Sequence, residues 1–143
     1  MNNLQILRAG ALAAVLLGAA SLAHAEIVVV VSAKSGATAL SADQASDIFL
    51  GKPSALPGGG QAVPIDQAEG ATRDAFYQKA LGKNAAQLKA YWSKQIFSGK
   101  GQPPKVAGDG AAVKALVASN PNMVGYIDKS AVDGTVKVLL SIN

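Results

Sequence analysis

Residues 27–31, IVVVV, are consecutive β-branched residues, and this run constrains the fold more than any other stretch of the chain. β-Branched side chains favour strands. A strand with one face in water alternates apolar and polar residues, whereas this run has no polar face. It therefore predicts a strand that is buried on both faces of a sheet, with other elements covering both sides.

Helices and further strands are predicted to alternate along the remaining chain. Four helices are expected: Ser41 through Leu50, residues 71–81, a helix after Asn84, and residues 111–119. Ser41, Asn84 and Asp109 are predicted N-caps, and Gly51 and Gly82 are predicted C-terminal stops. Further strands are expected over residues 62–65, near Val106, and over residues 123–127 and 135–140. This alternation predicts an α/β fold with a mostly parallel sheet.

The third predicted helix carries an apolar stripe at helical spacing, formed by Leu88, Tyr91, Trp92 and Ile96. Such a stripe is more often part of a core than a surface for a ligand. We therefore expect these four side chains to be buried.

Residues 1–25 predict a cleavable secretory signal peptide. They combine one positive charge, Arg8, with a small-apolar stretch over residues 9–22 and the motif Ala23-His24-Ala25. A stretch of about 14 residues is shorter than the roughly 20 needed to cross a bilayer, so a membrane anchor is not expected. Cleavage after Ala25 would leave residues 26–143 as one domain in the periplasm. The chain has no cysteine, which excludes disulfides and a lipid-attachment cysteine.

The composition excludes several kinds of chemistry. The only histidine is His24, which leaves with the signal peptide, so Ser-His and Cys-His nucleophiles and the usual zinc sites are not expected. The lysines are scattered without a basic run, and no nucleic-acid partner is predicted. Carboxylate or Ser-Lys enzymes stay possible on these grounds. We predict no catalytic residue, no metal and no cofactor.

The turn at residues 65–76, IDQAEGATRDAF, is the main candidate site. A strand end, a glycine turn and a helix start often form an anion site, because free backbone N–H groups converge there. Asp66 and Glu69 lie in this turn, where we interpret them as capping acids rather than as a catalytic pair. A second candidate is GDG at residues 108–110, whereas the glycine-rich stretches at residues 58–60 and 98–104 are expected to be turns.

Several segments resemble the periplasmic substrate-binding proteins of phosphate ABC transporters. They are LSADQASDIFLGK, AVPIDQAEGATRDAF, AYWSKQIFSGKG and GDGAAVKALVASNPNMVGYI, in that order. The resemblance is to short, single-lobe members and covers only the second lobe of a full-length protein. It implies the type II periplasmic-binding fold: one three-layer lobe with a mixed, mostly parallel sheet flanked by helices.

The resemblance also implies where a ligand would bind. The family's second lobe has an arginine followed by a Ser-Gly-Thr turn; here Asp66 occupies the arginine position, Gly70 and Ala71 replace serine and glycine, and Thr72 is kept. A carboxylate at Asp66 is expected to oppose anion binding. The ligand-binding residues that we predict are Gly70, Ala71, Thr72 and Arg73, with Ser32 and Ser35. Arg73 has two open interpretations: an anion donor, or a surface residue that pairs with a nearby acid.

Two functions follow as hypotheses. The first is a non-enzymatic, exported solute-binding protein of phosphate transport that binds phosphate or another oxyanion weakly, with the membrane component of an ABC transporter as a partner. The alternative is a ligand-less interaction module that docks on a transporter, on a sensor, or on itself as a homo-oligomer. The loops at residues 32–38 and 70–73 are the predicted docking surfaces. An enzyme is the least favoured hypothesis.

Overall fold

The computed structural model describes residues 26–143; the predicted signal peptide, residues 1–25, lies outside the described residues. The strands are β1 (Ile27–Ser32), β2 (Val63–Asp66), β3 (Lys105–Val106), β4 (Met123–Asp128) and β5 (Val136–Ile142). The helices are α1 (Ala42–Phe49), α2 (Ala71–Phe76), α3 (Ala85–Phe97) and α4 (Gly110–Ser119). A π-helical segment, Tyr77–Leu81, continues α2, and a 3₁₀ turn, Lys129–Ala131, follows β4.

The five strands form one mixed sheet in the order β3-β2-β4-β1-β5. Strand β2 runs parallel to β3 and β4, whereas β1 runs antiparallel to β4 and β5. The mixed α/β sheet is confirmed, but its parallel share is smaller than the strand–helix alternation predicts. The parallel pairings join strands that are linked through helices, as such crossovers require. The antiparallel pairings join the first strand to the last two, where no short connection fixes the direction.

Strand β1 lies between two apolar layers, as its uninterrupted β-branched run predicts. All of its residues are buried. Ile27, Val29 and Val31 pack in one cluster with residues of α1, the π-helical segment and α3, whereas Val28 and Val30 pack in a second cluster with α4. The alternation of side chains along a strand thus distributes one run between both cores. The three-layer arrangement is confirmed.

The helix ends follow the predicted caps. Ser41 and Asn84 form capping boxes with Gln44 and Gln87, and Asp109 accepts a hydrogen bond from the backbone N–H of Ala112. Gly51 and Gly82 have φ values of 75° and 66°, the left-handed conformation that favours glycine after a helix.

The stripe on α3 is only partly in the core. Leu88 and Trp92 are buried, Tyr91 is half-buried, and Ile96 is 49 % exposed. The neighbouring Phe97 is 95 % exposed. The expectation of a buried stripe is therefore confirmed for Leu88 and Trp92 and wrong for Ile96, which lies in the last turn of α3.

No helix within residues 26–143 is long and apolar enough to cross a membrane.

Candidate functional site

Asp66, the last residue of β2, is the centre of a buried hydrogen-bond network. Only 2 % of Asp66 is exposed to solvent. One carboxylate oxygen, Oδ1, accepts from the backbone N–H of Gln67 at 2.8 Å and from the hydroxyl of Tyr126 at 2.5 Å. The other, Oδ2, accepts from the hydroxyl of Tyr77 at 2.7 Å and from Nε of Arg73 at 3.3 Å. Every polar direction of this carboxylate thus has a partner.

This network overturns the capping interpretation of Asp66 and Glu69. The N-cap of α2 is Gly70, which has no side-chain hydrogen bond to the helix. Asp66 points into the protein, whereas the Glu69 side chain is 94 % exposed. The capping prediction is wrong because the end of β2 is buried, and a buried carboxylate takes the hydroxyl and guanidinium donors around it.

Three elements bring the network together. Tyr126 comes from β4, which pairs with β2 in parallel, and its ring stacks on Phe76 with 3.9 Å between the centroids. Tyr77 opens the π-helical segment directly after α2. Gln67 donates its side-chain amide N–H to the carbonyl of Tyr126 at 2.7 Å. π-Helical turns of this kind occur frequently at functional sites.

The pKa values of the three side chains that donate to Asp66 are raised. Burial, together with the neighbouring carboxylate of Asp66, raises the pKa values of Tyr77 and Tyr126 well above their usual range. Partial burial alone would lower the pKa of Arg73, but the charge of Asp66 raises it. Both hydroxyls therefore stay protonated and donate to Asp66, and Arg73 stays charged.

Arg73 is anchored on one side and accessible on the other. Its Nε bonds Asp66, and its guanidinium carbon lies 5.6 Å from the ring centroid of Tyr77. Its Nη1 is 3.9 Å from the nearest oxygen of Glu69, which is beyond hydrogen-bond distance. Of the two interpretations left open for Arg73, pairing with a nearby acid is observed. The hydrogen bond to Asp66 uses only the Nε edge, so the Nη fork can reach a ligand, in competition with the ion pair that Nη1 makes with the exposed Glu69.

A cavity of about 260 Å³, which we call the turn cavity, lies at the carboxyl ends of β2 and β3. It brings together four of the predicted ligand-binding residues and part of the predicted GDG loop. Its lining consists of Gln67, Ala68, Glu69, Gly70, Ala71, Thr72, Arg73, Gly108 and Asp109. Ligands of open α/β sheets commonly bind at the carboxyl ends of the strands.

Ser32 and Ser35 lie elsewhere. Strand β1 runs antiparallel to β4, whereas β2 runs parallel to β4. The carboxyl end of β1 therefore lies at the end of the sheet opposite the turn cavity. Ser32 donates its hydroxyl to the carbonyl of Ala118, and the Ser35 hydroxyl accepts from the N–H of Ala37. The structure therefore does not bring these two serines together with the four residues of the turn cavity.

A larger cavity of about 600 Å³, which we call the helical groove, borders the turn cavity. It runs between α2 with its π-helical segment and α3. Its lining includes Arg73, Tyr77, Lys83, Leu88, Lys89, Trp92, Ile96 and Pro103. Glu69, Gly70 and Arg73 line both cavities. Sequence reasoning missed this groove, as it missed Gln67, Tyr77 and Tyr126. The predicted ligand-binding residues Gly70 and Arg73 and three of the four residues of the α3 stripe nevertheless line it.

Metal binding has no counterpart in this arrangement. No group of three His, Cys, Asp or Glu side chains that could hold a metal ion occurs in the part of the chain that the structure describes.

Comparisons with known proteins identify the fold. No protein-family model matches the sequence, and no curated protein matches it. A structure described as a phosphate ABC transporter substrate-binding protein with bound phosphate, from Clostridium perfringens, is similar with a TM-score of 0.61 and 24 % identity. An ABC-type phosphate transport receptor from Vibrio cholerae gives 0.62 and 20 %, and PstS from Borrelia burgdorferi gives 0.58 and 13 %. The chain has the fold of one lobe of these proteins.

This lobe is less than half of each of those three structures. The matches cover 80 % of this chain but only 44 %, 45 % and 46 % of the others. The resemblance to phosphate-transporter binding proteins is thereby confirmed at the level of the fold. Sequence identities of 24 % or less, together with these TM-scores, show a shared fold but not a shared ligand.

Proposed function

We propose that the protein is a non-enzymatic solute-binding protein, exported to the periplasm by a cleavable signal peptide, that binds a small oxyanion such as phosphate weakly in the turn cavity. The observation that carries this proposal is Arg73. Its guanidinium is held by the buried Asp66 and still faces a cavity at the carboxyl ends of parallel strands. The fold supports it, because one of the similar structures contains phosphate.

The turn cavity offers several donors to an oxyanion. Arg73 supplies a planar fork, which suits the geometry of a phosphate or carboxylate group. Thr72 lines the same cavity and adds its hydroxyl, and the first backbone N–H groups of α2, from Gly70 onward, have no partner inside the helix.

Opposing charges limit the affinity. Glu69 and Asp109 line the same cavity, and Asp66 already neutralises Arg73 from behind. One lobe also supplies one side of a ligand shell. We therefore expect a Kd for phosphate of about 1 mM, a binding free energy of about 4 kcal/mol.

A single lobe lacks one side of the ligand shell, and a partner protein can supply that side. Each similar structure is more than twice as long as the matched part. We propose that the membrane component of an ABC transporter, or a second copy of this chain, covers the turn cavity.

An interaction module without a ligand is the second candidate function. It is favoured by Phe97, which is 95 % exposed at the end of α3, next to the half-exposed Ile96. Adjacent exposed apolar side chains are a feature of docking surfaces. In this case the protein would dock on a transporter, on a sensor or on itself.

Calorimetry with inorganic phosphate at low salt tests the first function. Arg73→Ala should weaken binding at least about tenfold, because a hydrogen bond to a charged group is worth ~1.5–3 kcal/mol. Lys52→Ala is the matched control: it also removes one positive charge, but Lys52 pairs with Asp47 on the surface and lines neither cavity. Tight phosphate binding that survives Arg73→Ala would contradict the assigned site.

Native mass spectrometry of protein purified from the periplasm separates the two functions. A retained small oxyanion supports solute binding, and a ligand-free complex with another protein supports the interaction module. The same spectrum gives the mass of the mature chain. The mass of a chain that begins at Glu26 supports export with cleavage after Ala25, and the mass of the full-length chain contradicts it.

A further inference from the structure

The helical groove is much larger than an inorganic oxyanion needs. Its volume of about 600 Å³ lies in the range of sites for small organic molecules, roughly 300–1,000 Å³. Its walls are largely apolar, with Leu88, Trp92 and Ile96 from α3 and Pro103 from the following loop. Tyr77 adds a ring from the opposite wall. A ligand that fills this groove therefore needs an apolar body.

The positive charge that the groove offers to an anion comes mainly from two lysines, since Asp66 already neutralises Arg73. Its lining carries three cations, Arg73, Lys83 and Lys89, and two carboxylates, Glu69 and Asp74. Neither lysine forms a salt bridge with another residue of the described range, 26–143. Lys83 lies 5.3 Å from the ring centroid of Tyr91, a cation–π contact that leaves its charge uncompensated.

Arg73 is the residue that joins the two cavities. It lines both, together with Glu69 and Gly70. The buried Asp66 and Tyr77 fix its Nε edge and the face of its guanidinium, so the position of the Nη fork is set before any ligand arrives. An anionic group that meets this fork has the turn cavity on one side and the apolar groove on the other.

We propose that the helical groove binds an organic anion with an apolar body, with its phosphate or carboxylate head on Arg73 and its body along Ile96 and Pro103. This proposal rests on the role of Arg73 as an anion ligand in the proposed function, and it names a ligand class that inorganic phosphate does not represent. The body is placed along Ile96 because that side chain is half exposed, whereas Tyr77 and Trp92 are only 2 % and 7 % exposed.

Phenyl phosphate, inorganic phosphate and phenol are the probes. Trp92 is the only tryptophan of the chain and lines the groove, so its fluorescence reports occupancy, and calorimetry gives the affinity. Burial of a phenyl group should make phenyl phosphate bind at least about tenfold more tightly than inorganic phosphate. Phenol, which has the ring without the charge, should bind more weakly than phenyl phosphate.

Two neighbouring substitutions on α3 make the test specific. Ile96→Ser shortens the wall of the groove, and because Ile96 is half exposed the fold should tolerate it. It should remove most of the advantage of phenyl phosphate and leave the affinity for inorganic phosphate unchanged. Phe97→Ser is the control, because Phe97 is exposed but does not line the groove, and it should change neither affinity.

The outcomes separate this inference from the proposed function. If inorganic phosphate binds and phenyl phosphate gains nothing, the groove proposal is overturned and the turn cavity stands. If phenyl phosphate binds, depends on Ile96 and inorganic phosphate does not bind, the groove is supported and the turn-cavity function is not. Failure of both probes, or an equal loss in Ile96→Ser and Phe97→Ser, overturns the proposal.

Discussion

Asp66→Asn tests whether the buried network has the architecture described above. The substitution keeps the shape of the side chain but replaces one acceptor oxygen with an N–H₂ donor. In the wild type each oxygen accepts one tyrosine hydroxyl, Tyr126 on Oδ1 and Tyr77 on Oδ2. An asparagine can serve only one of them, so one buried hydroxyl loses its acceptor, and Arg73 loses its counter-charge.

The cost follows from these losses. A buried donor without an acceptor costs about 1–3 kcal/mol, and the remaining bonds lose the strength that a charged acceptor gives them. We expect Asp66→Asn to lower the free energy of unfolding by about 2–4 kcal/mol. This is a large share of the roughly 5–15 kcal/mol that stabilises an ordinary domain.

Urea denaturation followed through Trp92 fluorescence measures this change, with an unchanged m-value as the sign that both variants unfold in the same way. Glu69→Gln is the matched control. Glu69 also lies near Arg73, but its side chain is 94 % exposed, so its loss should change stability by no more than about 0.5 kcal/mol.

A double-mutant cycle with Tyr77→Phe identifies the cause. Alone, Tyr77→Phe should cost about 1–2 kcal/mol, because it removes one donor to a charged acceptor. Combined with Asp66→Asn it should cost much less, since the hydroxyl that it removes is one of the two that compete for a single oxygen. Strict additivity, or a cost of Asp66→Asn below about 1 kcal/mol, would refute the reasoning.

Three further predictions concern packing and pH. Gly125→Ala should cost about 1–3 kcal/mol in urea denaturation, because its Cβ would overlap Cγ1 of Val113 on α4; Gly134→Ala, which meets open space, is the control and should be neutral. The contribution of Tyr77 and Tyr126 to stability should be constant up to about pH 10 and fall above it, because the unfolded chain releases the protons that these residues retain in the folded protein; the double Phe variant should lose this dependence. The pKa of Asp133 is lowered to about 2 by hydrogen bonds from the Thr135 hydroxyl, the Thr135 backbone N–H and Lys114. The stabilising contribution of these bonds should persist above about pH 4 and disappear towards pH 2. An NMR titration that gives an ordinary pKa for the Asp133 carboxylate would contradict this.

The sequence alone determines much of the architecture of this protein. The run at residues 27–31 predicts a strand between two covered faces, and the structure has it. The caps at Ser41, Asn84 and Asp109 begin helices as predicted, because capping depends on residues only three positions apart. These features are local, and local chemistry suffices to specify them.

The site depends on contacts that no local pattern contains. Asp66 and Tyr126 are 60 positions apart, and their hydrogen bond exists because β2 and β4 are neighbours in the sheet. Ser32 and Arg73 are both predicted ligand-binding residues, but the antiparallel direction of β1 puts Ser32 at the opposite end of the sheet. Strand order and direction come from burying the whole set of apolar faces at once. For the same reason only the tertiary structure decided that Asp66, whose charge is predicted to oppose anion binding, is also the buried partner that holds Arg73 in place.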